Sequence, residues 1–304
     1  MSTWYSDIVL VNRSTVLQDH EIEAVIPAFQ AQVTDDWAPH WPENGPKTKL
    51  HFAGKDAPVQ QGLWPLFIYD HTDVPGAGGY HDDDTGLVQG KVFAGDAMQY
   101  GEAWTVDATH ELLEMLGDPE TNVILPIPYT QLHCFQEVCD AVEADRYAYQ
   151  KDGVLVSDFV LPGYFTGKGG PHFDFAGHLR GHVATLLHGG YLGIQLPDGE
   201  WTQIVKREMR DNRMQMSRRA KHSHRMVGRL PRDAASVLPV HDDLNKVVSA
   251  HSNFNIADEN SVPVAEYEGE PIAGTERAAA NSPDLGTIEP QHDQITNSEE
   301  ASAS

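Results

Sequence analysis

The chain has 304 residues, a formal net charge of −24, 40% hydrophobic residues and two cysteines, Cys134 and Cys139. That is enough apolar material for a real core, while the acidity argues against general nucleic-acid binding and against anionic membranes. Two cysteines make no disulfide framework and no apolar run approaches a membrane span. Residues 1–7 lack a basic stretch and the apolar run after them is short, so the expectation is a cytoplasmic protein without a signal peptide, or a component packaged in a virion.

Ile8-Val9-Leu10-Val11 predicts a short buried strand. Asp19 is placed to cap a helix carrying Ile22, Val25, Ile26, Phe29 and Val33 at helical spacing, with Pro27 expected to bend or shorten it. Leu50-His51-Phe52 and Leu66-Phe67-Ile68-Tyr69 read as strands. Gly78-Gly79-Tyr80-His81 and Lys91-Val92-Phe93-Ala94 read as two more, joined by a turn over residues 82–86. A helix is predicted over residues 103–116, with Gly117 and Pro119 as stop signals. A second helix is predicted over residues 134–145. Val154-Leu155-Val156 and Tyr191-Leu192-Gly193-Ile194-Gln195 close the series as strands, with a turn at residues 196–199. Strands interspersed with helices give an α+β class, a mixed sheet packed on helices.

Charge marks the boundaries. Residues 206–232 hold ten basic residues against Glu208 and Asp211, and residues 233–304 hold fourteen acids against Lys246 and Arg277. The expected organisation is a folded domain over 1–205, a basic and partly helical segment over 206–232, and an acidic disordered tail over 233–304. The basic segment, with four methionines, reads as a solvated or tail-neutralising stretch; binding to nucleic acid ranks behind that.

The chemistry lies in Thr109-His110-Glu111-Leu112-Leu113-Glu114-Met115. On a helix His110 and Glu114 are one turn apart and project from one face, so both can grip one ion. This is the HExxH zinc pattern with Glu114 in place of the second histidine. The substitution leaves a competent ligand but reduces the residual charge of the ion. Glu111, beside the pair, is the candidate base that takes a proton from water. A third ligand is expected downstream. Glu137 is the first choice, with His133 and Asp140 as competitors; alternatively Asp140 accepts the free ring N–H of His110 and orients it. On the predicted second helix Cys139 faces away from Glu137 and reads as a small core residue. Cys134 and Cys139 could bridge only if the backbone there is not a regular helix. His81 reads as an ordinary surface histidine rather than an oxyanion stabiliser, and Asp82-Asp83-Asp84 as a solvated turn rather than a calcium site. Asp118 and Pro119 shape the helix exit.

His110-Glu111-Leu112-Leu113-Glu114-Met115-Leu116 with Asp118-Pro119, then Glu137-Val138-Cys139-Asp140, resembles a zincin-like group of bacterial and phage proteins. It is also similar to the plant phosphate-induced, exordium-like proteins. Gly79-Tyr80-His81-Asp82 and Leu161-Pro162-Gly163-Tyr164-Phe165 extend the resemblance to the bacterial group, over roughly residues 8–194. The resemblance implies a zincin-like fold that binds Zn²⁺ through His110, Glu114 and Glu137, with Glu111 as the base of a metallopeptidase acting on a peptide or protein. A strand near Tyr80 and His81 would then pair with extended substrate. The other expectation is a catalytically inactive binding or virion-associated protein with a structural metal.

Overall fold

An unbroken apolar run such as Ile8 to Val11 demands a strand covered on both faces. In the computed structural model it forms β1 (Ile8–Asn12), buried throughout and internal to its sheet. The structure describes residues 6–42, 47–73, 77–83, 86–128, 130–180 and 185–206, and the backbone at 208–210, 213–215 and 240–241. Around β1 stand β2 (Leu50–Lys55), β3 (Trp64–Tyr69), β4 (Gly79–Asp82) and β5 (Gln89–Phe93), in the order β2-β1-β3-β5-β4. β1, β2, β3 and β5 pair in parallel, and β4 lies antiparallel to β5 at one edge.

Between β1 and β2 runs α1 (Asp19–Ala31), continued by a π-helical turn over Gln32–Trp37. Its cap is not Asp19 but Gln18, which forms a capping box with Glu21; the Gln18 N–H donates to Glu21 Oε2 at 2.8 Å. Asp19 is the first helical residue and accepts from the Asn12 side chain. Pro27 does not shorten the helix. Burial of Ile22, Ala28 and Phe29 outweighs the one backbone hydrogen bond that proline removes.

After α2 (Ala94–Tyr100) comes α3 (Trp104–Gly117), within one residue of the predicted span. Every residue from Val106 to Gly117 is buried. The helix packs on β3, β4 and β5 and also on β9 (Val154–Val156), so its polar residues lie inside the protein. Gly117, its last residue, has no left-handed φ and is glycine for a packing reason. A Cβ there would sit 3.1 Å from Val138 Cγ1. The turn itself is held by Asp118, whose carboxylate accepts the N–H groups of Asn122 and Val123.

A second sheet has the order β14-β11-β10-β7-β6: β6 (Ile124–Pro126), β7 (His133–Phe135), β10 (Tyr191–Gln195), β11 (Trp201–Val205) and β14 (Val240–His241). β8 (Tyr149–Lys151) forms a hairpin with β9, and α4 (Pro162–Thr166) follows it. The helix predicted over residues 134–145 does not form. Cys134 is paired in β7 with Leu125 and Ile194, and Phe135 stacks on Trp201 with centroids 3.9 Å apart. Residues 136–139 are irregular, and single 3₁₀ turns occupy Asp140–Val142 and Asp145–Tyr147. The repeat of acidic and apolar residues that reads as an amphipathic helix has no solvated face, because Glu137, Asp140 and Glu143 are as buried as Val138 and Val142.

Both helices and mixed sheets are present, which is the α+β class. The basic segment, expected to be partly helical, has its described backbone in an antiparallel pair, β12 (Glu208–Arg210) with β13 (Arg213–Gln215), and residues 216–232 lie outside the described residues. From the acidic tail, β14 pairs in parallel with β11, so the second sheet crosses the boundary expected at residue 205. The rest of the tail's expected disorder falls outside the described residues. No helix among those described is long and apolar enough to cross a membrane.

Candidate metal centre

The middle turns of α3 carry His110, Glu111 and Glu114, none more than 1% exposed. An ionised carboxylate at such depth costs several kcal/mol unless something compensates it. His110 Nε2 lies 3.1 Å from Glu114 Oε1, as the one-turn spacing predicts. The same nitrogen lies 3.3 Å from Asp140 Oδ1. Asp140 therefore does not hold the far side of the ring, as an orienting group would. It joins Glu114 at the face where an ion would bind.

Two sets of potential ligand atoms converge within 4.8 Å among the described residues: His110, Glu114 and Cys139, and His81, Glu111 and Glu114. Cys139 enters because the segment is not helical. Its backbone N–H donates to Glu114 Oε1 at 3.3 Å, which brings the thiol to the cluster instead of turning it away. Both cysteines are free thiols despite the irregular backbone that would permit a bridge.

Sequence reasoning also misplaced His81. It is fully buried on β4, with Nδ1 3.7 Å from Glu111 Oε2 and 3.8 Å from Glu114 Oε2. The signal that could have found it is the strand period. Gly79 and His81, two apart, share a face, and that face meets α3 closely enough that a Cβ on Gly79 would lie 2.5 Å from Glu111 Oε1. Glycine there lets the helix carboxylate lie against the strand.

Glu137 is buried beside the cluster but is a member of neither converging set. His133 is exposed on β7 and is a member of neither set. Asp82 accepts from Gln89 Nε2 within the β4–β5 hairpin, while Asp84 lies outside the described residues. Tyr191, on β10, is a further group that sequence reading did not single out. Its phenol is buried and feels Asp140 and Glu143.

The electrostatics describe carboxylates crowded together in a dry place. Burial, then the charges of Glu114 and Asp140 against a favourable His110, pushes the Glu111 carboxyl well above its usual range. Burial and then Glu114, Asp140 and Glu111 do the same to Glu137. Asp140 is pushed up to about 7, by burial first and Glu114 second. For His110 burial disfavours the charged ring, yet Glu114 and Asp140 outweigh it and raise its pKa well above the ordinary value. Burial also raises the Cys139 thiol well above its usual range, with His110 pulling the other way. Positive charge is what this cluster lacks, whether protons or a cation supply it.

The fold and site thus define an α+β protein with a buried imidazole–carboxylate–thiol cluster on its central helix. No family model, curated protein or solved structure matches the chain.

Proposed function

We propose that this chain is a zinc-binding protein of the hydrolase type, acting on a peptide or protein substrate. The observation that carries the reading is the convergence of His110 and Glu114, one turn apart on a buried helix, with Cys139 and Asp140. Imidazole, carboxylate and thiol together suit zinc better than a hard cation, which takes oxygen ligands. Donors bound at about 2.0–2.3 Å to one ion lie roughly 3–4 Å apart, and the observed separations of 3.1 and 3.3 Å fit that span.

A zincin-like fold is supported by the parallel sheet, its antiparallel edge strand β4, and the position of α3 against β4 and β5. On this reading His110 and Glu114 hold the ion, with Asp140 or Cys139 completing the set in place of Glu137. When bound, such an ion supplies positive charge that polarises a carbonyl and acidifies water. Glu111, next to His110 on α3, would receive the proton. The Asp118 carbonyl fixes His81, whose Nε2 lies 3.2 Å from it. Asp118 also lines a surface cleft of about 710 Å³ with Trp64, Val88 and Asn122, beside the end of α3, and none of the cluster's donors lines it.

One observation favours a second reading, a structural metal in a non-enzymatic or virion-associated protein. Every donor is buried, β4 included, so a peptide bond reaches Glu111 only if the site opens. Turnover separates the two. Purified protein is expected to carry stoichiometric metal and to cleave members of a mixed peptide library, with Glu111→Gln reducing cleavage at least 100-fold. Metal without turnover in any library would leave the structural reading. A fully folded, metal-free preparation that takes up no zinc would sink both.

A further inference from the structure

The two converging donor sets share one residue, and the way they share it is informative. Glu114 turns Oε1 toward His110 Nε2, at 3.1 Å, and Oε2 toward His81 Nδ1, at 3.8 Å. A carboxylate whose two oxygens face two different imidazoles has the form of a bridge. Ions held on its two oxygens would lie roughly 3.5–4 Å apart, the separation usual in two-metal sites.

His81 carries the second half of the case. Its Nε2 lies 3.2 Å from the Asp118 carbonyl oxygen. A carbonyl only accepts, so Nε2 bears the hydrogen and Nδ1 faces the carboxylates. A backbone carbonyl on the far nitrogen is how a ligating histidine is held in its tautomer. The separations from Nδ1 to Glu111 Oε2 and Glu114 Oε2, 3.7 and 3.8 Å, are too long for hydrogen bonds. They match the roughly 3–4 Å between two donors on a common ion.

Charge points the same way. Glu111, Glu114, Glu137 and Asp140 are buried together. Counted as ionised beside neutral imidazoles they carry four negative charges, and a Cys139 thiolate on the first ion would make five, so one divalent cation leaves most of that charge uncompensated and a second leaves at most one.

We propose that the cluster is a two-cation centre bridged by Glu114, with one ion at His110 and the Cys139–Asp140 segment and the second between His81 and Glu111. This rests on the metal reading above and changes Glu111 within it from a free base to a ligand of the second ion.

The test is a count. Full-length protein, stripped of metal, is titrated with Zn²⁺ against a competing chelator strong enough to strip exposed histidines and surface acids, and the retained metal is measured. The wild type is expected to retain two equivalents, and His81→Ala and Glu111→Gln one each. One equivalent in the wild type, unchanged in His81→Ala, would overturn the second ion and leave the single-ion reading standing. Two equivalents in both would place the second ion elsewhere and overturn the assignment. None in folded wild type would overturn both readings. Because the wild-type count needs no variant, a His81→Ala chain that fails to fold does not rescue the proposal. Co²⁺ loading gives the second readout: two sequential changes in its visible absorption for the wild type, one for Glu111→Gln.

Discussion

Two carboxylate sites in this molecule solve the same electrostatic problem in opposite ways. Asp70, at the end of β3, is surrounded by donors from one loop. It accepts from the hydroxyls of Ser14 and Thr15, from the Thr15 N–H at 2.9 Å and from the Val16 N–H at 3.3 Å. Burial works against its charge, but those hydrogen bonds outweigh it and hold the carboxyl at about 2. Glu111, Glu137 and Asp140 lie among other carboxylates, and their pKa values move up instead. Where the chain supplies donors, a carboxylate is complete by itself. Where it supplies more carboxylates, the balance must come from outside, as protons or as cations.

The largest expected effect follows from removing that outside charge. Chelating the metal should leave the α3 cluster to protons and cost several kcal/mol, since metal binding to a site absent from the unfolded chain is itself folding free energy. For a chain of this size that is a fall in melting temperature of roughly 10 °C or more, read by calorimetry with and without chelator. Glu114→Gln should narrow the gap between loaded and stripped protein from both ends. It removes a ligand from the loaded form and a repelling charge from the stripped one. Identical melting of loaded and stripped wild type would mean that protons satisfy the cluster, as the loop satisfies Asp70.

How much of this contrast the sequence carries depends on the kind of signal. α3 was legible to within a residue because its apolar side chains, its exit at Asp118-Pro119 and the spacing of His110 and Glu114 all belong to one helical period. The strands of the first sheet were legible from unbroken or alternating apolar runs. Residues 134–145 were not. Their acids recur at helical intervals, but the recurrence reports inward-facing carboxylates on irregular backbone. That backbone finds partners far away: the Val138 carbonyl accepts from Val160 N–H and the Ala141 carbonyl from Leu187 N–H. Such long-range pairing leaves no local trace, so the sequence leaves Asp140 open as ligand or orienting partner of His110, and reads Cys139 rightly as core but as facing away from the cluster. His81 was missed for a related reason. A lone histidine in a short strand reads as surface until α3 is known to cover it.

A smaller effect tests whether the close approach of β4 and α3 positions Glu111. Gly79 needs no positive φ, so its absent Cβ has a packing role. A methyl there would meet Glu111 Oε1 at 2.5 Å and the Lys91 carbonyl oxygen at 2.9 Å. Gly79→Ala is expected to cost about 2 kcal/mol, in the range of overpacked cores, and to weaken metal binding by displacing Glu111. Denaturant melts and zinc competition measure the two separately. Lost stability with unchanged zinc affinity would make the glycine a packing device with no bearing on the cluster.

The smallest effect belongs to the self-sufficient site, and its pH dependence sharpens the comparison. The folded-state pKa of Asp70, about 2, lies below its ordinary value of 3.8. Its contribution is therefore fully present above about pH 4 and is lost as the pH falls through 2. The group is partly exposed, so after solvent screening the shift is worth about 1 kcal/mol. Asp70→Asn should lower stability by about that much at pH 7, and the difference from wild type should close between about pH 4 and pH 2. Chelator should leave the difference unchanged, because no ion is asked to complete this site. A wild-type-to-Asn difference that grew on acidification, or that vanished on adding chelator, would show that the Asp70 loop is not complete by itself, and the division between the two kinds of carboxylate site would fall with it.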